Sequence, residues 1–248
     1  MSDNISNILE TFETISLEEM DRVRLMNRVD VKYTFRDDQL GDFLIKLKEH
    51  YRILEVSGCR SSRYESLYFD TPEFDLYHKH HSGRLNRYKI RLRKYVESNL
   101  HFFEIKFKNN KGRTLKNRIK QQQVIQTIEG NAEEFLALHT TLPAEGLEPK
   151  LWVNYNRITL VHRTIAERVT LDLNLVFKTN EETREIPNLV IAEVKQDKVS
   201  TSAFVRLMRD NFIREGSISK YCFAVTVLFR EKFNNFKSQL HLYKKITK

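Results

Sequence analysis

Eight stretches of the chain alternate apolar and polar residues with a period of two, the pattern of strands with one face buried and one polar. They run over residues 28–35, 64–70, 87–95, 101–108, 114–120, 152–161, 168–177 and 189–195, and are rich in Val, Ile, Phe, Tyr and Thr. Short polar connections between them predict an antiparallel sheet that can close on itself. A 3.6-residue period predicts helices between the strands. The first spans 38–49, with Leu40, Phe43, Leu44 and Leu47 on one stripe, and others cover 124–138, 201–210 and the region from 220 towards 236. No repeat or linker divides the 248 residues, so a single domain over 1–248 is expected, with its core at about 22–230 and a basic C-terminal helix at 220–248.

The polar faces of these strands carry an unusual excess of one charge. In Arg87-Tyr-Lys-Ile-Arg-Leu-Arg93, alternation puts Arg87, Lys89, Arg91 and Arg93 on one side and Tyr88, Ile90 and Leu92 on the other. The next segment sets Glu104, Lys106 and Lys108 against Phe103, Ile105 and Phe107, and Lys116 shares a face with Arg118. Arg28, Asp30 and Lys32 oppose Val29, Val31 and Tyr33; later strands pair Tyr155 with Arg157, Arg168 with Asp172, and Glu193 with Lys195. A sheet with one wet face accounts for any single strand of this kind. Solvent faces usually mix signs, however, and like charges side by side destabilise a sheet, so cations this dense call for an anion.

The formal charge of +9 points the same way, towards a polyanionic partner, without choosing among nucleic acid, nucleotide, phosphate polymer and anionic membrane. If the charged faces turned inward, the lumen would suit a linear phosphate chain, because guanidinium groups bind phosphate oxygens bidentately and lysines add point charge. Glu193, Asp172, Glu104 and Asp30 are the carboxylates among the cations that would hold Mg2+ or Mn2+. The sequence has no GxxxxGK[ST] loop, no GxGxxG after a strand, no HExxH and no serine elbow, so side chains rather than a glycine-rich loop must hold the phosphates. No RNP-like run is present, and nucleic acid is not the expected partner.

Other features read more plainly. Cys59 and Cys222 lack CxxC spacing and are expected as buried or semi-buried thiols; Trp152 is a core residue; His78-Lys-His-His81 is an exposed helix or loop, not a metal site. The first twenty residues have no apolar signal region, and the longest apolar run, 221–229, is too short to span a bilayer, which predicts a cytoplasmic protein.

The ordered motifs resemble the polyphosphate polymerase domain of the VTC family and its stand-alone bacterial relatives, within the CYTH-like triphosphate tunnel superfamily. The resemblance rests on Arg28-Val-Asp-Val-Lys-Tyr33, Tyr64-Glu-Ser-Leu-Tyr-Phe-Asp-Thr-Pro72, Lys89-Ile-Arg-Leu-Arg93, Phe103-Glu-Ile-Lys106, Leu115-Lys-Asn-Arg118, Tyr155-Asn-Arg157, Arg168-Val-Thr-Leu-Asp172, Ala192-Glu-Val-Lys195 and Ser219-Lys-Tyr221. It implies an α+β fold, a closed antiparallel β-barrel with flanking amphipathic helices, in which the ATP γ-phosphate passes to polyphosphate with Mn2+ or Mg2+ and ADP leaves. With the strand faces, it nominates Lys32, Arg91, Arg93, Lys106, Arg157 and Lys220 as catalytic. Arg28, Lys89, Lys116, Arg118, Tyr155, Arg168 and Lys195 become phosphate-binding candidates, and Glu193 the metal carboxylate. The superfamily's opening ExExK motif is replaced here by Arg28, Asp30 and Lys32, as in the polymerase branch. A metal-dependent triphosphatase or polyphosphate hydrolase, and a non-catalytic polyanion-binding module, are the alternatives. A membrane-protein partner for the product and the oligomeric state are left open by the sequence.

Overall fold

The structure is a computed structural model that describes residues 3–22, 29–197, 200–217 and 219–247. In chain order its elements are α1 (Asp3–Glu10), β1 (Thr14–Ile15), α2 (Leu17–Arg22), β2 (Val29–Arg36), α3 (Leu40–Leu47), β3 (Tyr51–Leu54), β4 (Ser62–Asp70), α4 (Asp75–His81), β5 (Arg87–Tyr95) and β6 (Leu100–Lys108). The chain continues through β7 (Thr114–Gln121), α5 (Asn131–His139), β8 (Glu148–His162), β9 (Glu167–Lys178), β10 (Thr183–Ile186), β11 (Leu189–Gln196), α6 (Ala203–Asp210), β12 (Glu215–Gly216), α7 (Lys220–Leu228) and α8 (Lys237–Ile246). The eight strands predicted from alternation are β2, β4 to β9 and β11, each within four residues of its predicted ends.

The fold is α+β around one large sheet in the order β12-β2-β11-β9-β8-β4-β5-β6-β7, whose neighbours along this path pair antiparallel. A short parallel pair, β1 with β3, joins at the margin. The expected closed barrel is not closed by hydrogen bonds: among the described residues β7 is an end of the order and does not pair with β2. The reason lies at the other end, where Glu215 and Gly216 of β12 pair with Tyr33 and Lys32 and occupy the edge of β2 that closure would need.

Two helix predictions also change. The helix expected over 124–138 begins only at Asn131, after Gly130 with φ 58° and ψ −127°, a conformation suited to glycine. The single basic helix expected over 220–248 is two helices, because the chain turns at Arg230, with φ 56°, between α7 and α8. In α7, residues Tyr221 to Val225 are all buried, so the run reads as apolar without a polar stripe.

The outer face of the sheet is covered by helices. Alternate residues Val169, Leu171 and Leu173 of β9 and Val190, Ala192 and Val194 of β11 form one core with Leu9 of α1, Phe43 and Leu44 of α3 and Phe204 of α6. Ile90, Leu92, Phe103 and Ile105 of β5 and β6 form another with Ala132 and Leu136 of α5; Trp152 packs against it half-buried. Burying these apolar faces outward obliges the charged residues between them to face the concave side.

Candidate functional site

The concave side encloses a cavity of about 520 Å³. Lys32, Lys89, Arg91, Arg93, Lys106, Lys116, Arg118, Arg157, Arg168, Lys195 and Lys220 line it, and among the described residues Asp30, Glu97 and Glu193 are the lining carboxylates. Tyr155 lines it as well. Thus the structure brings together every nominated site residue except Arg28, which lies outside the described residues. Arg87, expected on the same strand face, does not line the cavity; its guanidinium donates to the Arg84 carbonyl at 2.5 Å and to His80 Nδ1 at 3.0 Å.

Buried carboxylates beneath the lining hold the cations in place. Glu104, fully buried on β6, accepts from Arg91 Nε at 2.7 Å and Nη2 at 2.6 Å and pairs with Lys116 across the ladder. Asp172 of β9, directly opposite Arg157 of β8, takes that guanidinium bidentately at 2.6 and 2.7 Å and Lys220 Nζ at 2.5 Å. Burial opposes the charge of both acids, but the adjacent cations outweigh it and hold both below the usual carboxylate range. These two acids, read from the sequence as metal ligands, are therefore committed to ion pairs and do not line the cavity.

Tyrosines order the guanidinium groups. Arg93 donates to Ser66 Oγ at 3.1 Å and to the Tyr155 hydroxyl at 2.8 Å, with its guanidinium 5.2 Å from the Tyr64 ring centre. Arg157 lies 4.8 Å from the same ring, which stacks on Tyr155 at 5.4 Å. Arg91 donates to the Tyr68 hydroxyl at 3.0 Å. Cation–π contact and fixed hydrogen bonds preorganise these forks, so little rotamer freedom remains to be lost on binding phosphate. Tyr64 and Tyr68 were not singled out in the sequence, yet they share the inward parity of β4 opposite the buried Leu67 and Phe69.

The crowding of cations shows in their proton affinities. Arg91, together with burial and Arg93, pushes Lys106 well below the ordinary lysine value. Burial pushes Lys116 down to about 8 against the opposing pull of Glu104, and burial also lowers Lys89 and Lys195. Without a bound anion the cavity therefore holds lysines that give up protons easily, which an anion would reverse.

At the inner end of the cavity stands α7. Its capping residue Ser219 accepts from the Cys222 amide at 3.3 Å and from Lys89 Nζ at 2.9 Å, which ties the helix start to β5. The signal for this position was the serine preceding an apolar run. On β8 the inward parity Thr159, Arg157 and Tyr155 continues into Val153 and Leu151, which pack with α7 instead of lining the cavity. On β11 Lys195 and Glu193 are followed by Ile191 and Leu189, again packed with α7. Tyr243 and Ile246 of α8 belong to the same buried cluster. Leu17, Leu54, Tyr95, Leu100 and Phe102 line the cavity away from α7, with Arg118 4.5 Å from the Phe102 ring centre.

Among the described residues no group of three or more His, Cys, Asp and Glu side chains is placed to cage a metal. The donor set instead fits an ion that shares its coordination with substrate phosphates through one or two carboxylates, as magnesium commonly does. Glu193 is the carboxylate so placed, with Asp30 diagonal to it on β2. Burial opposes the charge of Glu193, but Lys195 at 2.8 Å and Lys32 outweigh it and keep its carboxyl well below the usual range. The histidine cluster is helical but is not exposed as expected, with His78, Lys79 and His80 half-buried. It forms α4, where His81 is buried and accepts from the Asn235 amide at 3.2 Å, and burial with Lys89 and Arg87 nearby pushes His80 down to about 2. The cysteines are free, Cys222 buried and Cys59 half-buried. No described helix is long and apolar enough to cross a membrane.

Solved structures similar to this one include a protein from Pyrococcus horikoshii OT3, at 15% identity over 82% of this chain and 99% of the other, with a TM-score of 0.47. A protein from Hippeastrum described as having a dominant triphosphatase activity aligns at 14% identity over 81% of this chain and 94% of its own, with a TM-score of 0.46. An RNA triphosphatase from S. pombe aligns at 10% identity over 100% and 95% of the two chains, with a TM-score of 0.32. No curated protein matches the sequence. The model of the VTC domain matches residues 27–229, a span that runs from the start of β2 to the end of α7 and carries the cationic strand faces, and the chain therefore belongs to the VTC domain family.

Proposed function

We propose that this protein is a polyphosphate polymerase that moves the γ-phosphate of ATP onto the end of a polyphosphate chain. The observation that carries this reading is the cavity itself. Arginines and lysines from eight elements converge on it, and an ion-paired carboxylate, Glu193, stands among those from β8, β9 and β11. Phosphoryl transfer between two phosphates asks the protein mainly to align donor and acceptor and to spread the charge of the transferring group, which fixed guanidinium groups do. A terminal oxygen of the chain attacks the γ-phosphorus, the bond from that phosphorus to the β–γ bridging oxygen breaks, and ADP leaves with the electron pair.

In this reading Arg91, Arg93 and Arg157 grip the reacting phosphates, with Tyr155 orienting two of these groups. Lys32, Lys106 and Lys220 neutralise charge at the inner end, while Lys89, Lys116, Arg118, Arg168 and Lys195 guide the chain. Arg28 is proposed as a further phosphate contact on the strength of the family motif alone. Glu193 would hold Mn2+ or Mg2+ against the phosphates, and the ion would supply Lewis-acid neutralisation of their charge. The substrates are ATP and polyphosphate in the cytoplasm; nucleic acid is not among the proposed partners.

The test is incubation with ATP and Mn2+, with and without a short polyphosphate primer, following ADP and chain length. Growth of the chain in step with ADP supports the reading. Orthophosphate release without growth would assign the protein to the hydrolases, and salt-sensitive binding without either product would make it a binding module.

A further inference from the structure

We infer that the turn after α6 docks on an anionic lipid surface, with Phe212 as the inserting side chain and Arg206, Arg209 and Arg214 as the groups that meet lipid phosphates. The inference stands independently of the phosphate-chain reaction.

The turn closes α6 in a form that asks for glycine. The Phe212 amide donates to the Arg209 carbonyl at 3.0 Å and the Ile213 amide to the Met208 carbonyl at 2.9 Å, while Phe212 itself has φ 57°. This is the Schellman ending of a helix, in which the left-handed residue is usually glycine and a side chain there adds strain. Ile213 serves the fold by packing against the core that contains the buried Met208. Phe212 does not: it is 93% exposed, the most exposed large apolar side chain among the described residues. Phe74 makes the contrast. It is also left-handed, with φ 59°, but it is 7% exposed, belongs to a buried cluster with Tyr77, and has its ring 4.8 Å from that of Phe229, so packing offsets its strain. Asn86, Asn99, Asn174 and Asn188 occupy the same region as a residue type that tolerates it. A phenylalanine held in a strained conformation and in water at once lowers the stability of the free chain, and its place is explained by a contact outside the chain.

The surrounding charges select the partner. Arg206, Arg209 and Arg214 are exposed in the same short segment; the first two are three residues apart on one side of α6, and Phe212 follows three residues later. Of the two acids there, Asp210 lies 3.7 Å from Arg209 and Glu215 is drawn back to the Tyr33 hydroxyl. The exposed neighbours of Phe212 are thus charged, Arg209, Asp210, Arg214 and Glu215 among them. A protein interface centred on Phe212 would need a surround of apolar contact, which residues 206–216 do not present. A lipid surface makes no such demand. One aromatic ring enters the boundary between headgroups and acyl chains, and guanidinium groups pair with the lipid phosphates around it. One ring and a few cations give a peripheral, reversible contact.

The test uses the intact protein with vesicles of phosphatidylcholine alone or mixed with an equal amount of phosphatidylglycerol, and reads cosedimentation at low salt. Phe212→Gly relieves the strain, so its melting temperature should hold or rise by about 2–4 °C. Its partition onto the mixed vesicles should nonetheless fall at least about fivefold, through loss of the inserted ring. Arg206→Gln, Arg209→Gln and Arg214→Gln together should lower partition at least about tenfold and flatten its salt dependence. In Phe212→Trp, read against the parent protein with its single Trp152, the emission should move to shorter wavelength on mixed vesicles and stay in place with phosphatidylcholine alone. Equal partition of Phe212→Gly and the parent, or an unmoved Phe212→Trp spectrum, would overturn the inference and leave Phe212 to a protein partner. A fall in the melting temperature of Phe212→Gly would show that the ring supports the fold, and would overturn it as well.

Discussion

The hydroxyl of Tyr221 lies 2.5 Å from the carboxylate of Asp70, a residue 151 positions earlier in the chain, and this contact fixes the helix whose head lines the cavity. Asp70 is wholly buried and also takes the amides of Thr71, Leu76 and Tyr77 at 2.8, 2.8 and 2.9 Å. Replacing it with Asn turns an acceptor-only group into one that presents N–H to other N–H groups. Asp70→Asn should therefore cost about 2–3 kcal/mol of stability, whereas Tyr221→Phe, which removes one charge-assisted hydrogen bond, should cost about 1.5 kcal/mol. Urea unfolding of both variants measures this, and equal losses would contradict the role given to the amides.

Asp172 joins two cations from different elements, Arg157 of β8 and Lys220 of α7. Asp172→Asn leaves both half-buried cations short of a counter-charge, which should destabilise the unliganded protein by about 2 kcal/mol, less than for a fully buried pair. An anion in the cavity would replace the missing charge. Tripolyphosphate should thus raise the melting temperature of Asp172→Asn by more than that of the parent protein, because ligand binding stabilises in proportion to its preference for the folded state. Equal shifts would mean that Asp172 does not compete with the ligand for these cations.

The depressed lysines give the cavity a definite pH response. For a base whose folded pKa lies below its unfolded value, the folded state resists the proton that the unfolded chain accepts. Lys116 therefore lowers stability at pH values below about 8, where both states are protonated, and this penalty is relieved as pH rises from about 8 towards the unfolded lysine value of about 10.4. Bound polyphosphate favours the charged form, so binding should take up protons between those limits, and affinity should fall as pH rises through them. Titration calorimetry at pH 8.5 or thereabouts, in buffers of different ionisation enthalpy, reads the uptake directly. Lys116→Met should reduce it, and an unchanged value would show that Lys116 does not titrate on binding.

What could be read beforehand, and what could not, follows from how each feature is encoded. In β5 a charged side and an apolar side alternate without interruption over Tyr88 to Arg93, so the cationic face was visible from spacing alone. The inner half of β8 gave no such signal, because Leu151, Trp152 and Val153 are apolar on both faces, one against α7 and the other against the core beneath α5. The largely buried α7 showed an apolar run without an amphipathic stripe, and its place beside the cavity was not legible. The pairing of Asp172 with Arg157 depends on the register between β8 and β9, which alternation within one strand does not encode. The same holds for Glu104, whose partners Arg91 and Lys116 lie directly across from it in β5 and, two residues along on the same face, in β7.

Glu193 separates binding from chemistry. It sits among Lys32, Lys195 and Arg157, so its carboxylate adds negative charge to a site that grips anions. Neutralising it should not weaken the hold on polyphosphate and, by removing repulsion, should tighten it slightly at low salt. Turnover should respond the other way. If the metal reaches the phosphates through this carboxylate, Glu193→Gln should lower kcat by at least about a hundredfold, the loss expected from about 2.7 kcal/mol of missing transition-state stabilisation. The metal concentration needed for residual activity should rise, and chelation should abolish turnover of the parent protein while leaving its salt-sensitive polyphosphate binding intact. Parallel loss of binding and turnover in Glu193→Gln would instead make Glu193 a structural partner of Lys195, and the metal would then need another ligand.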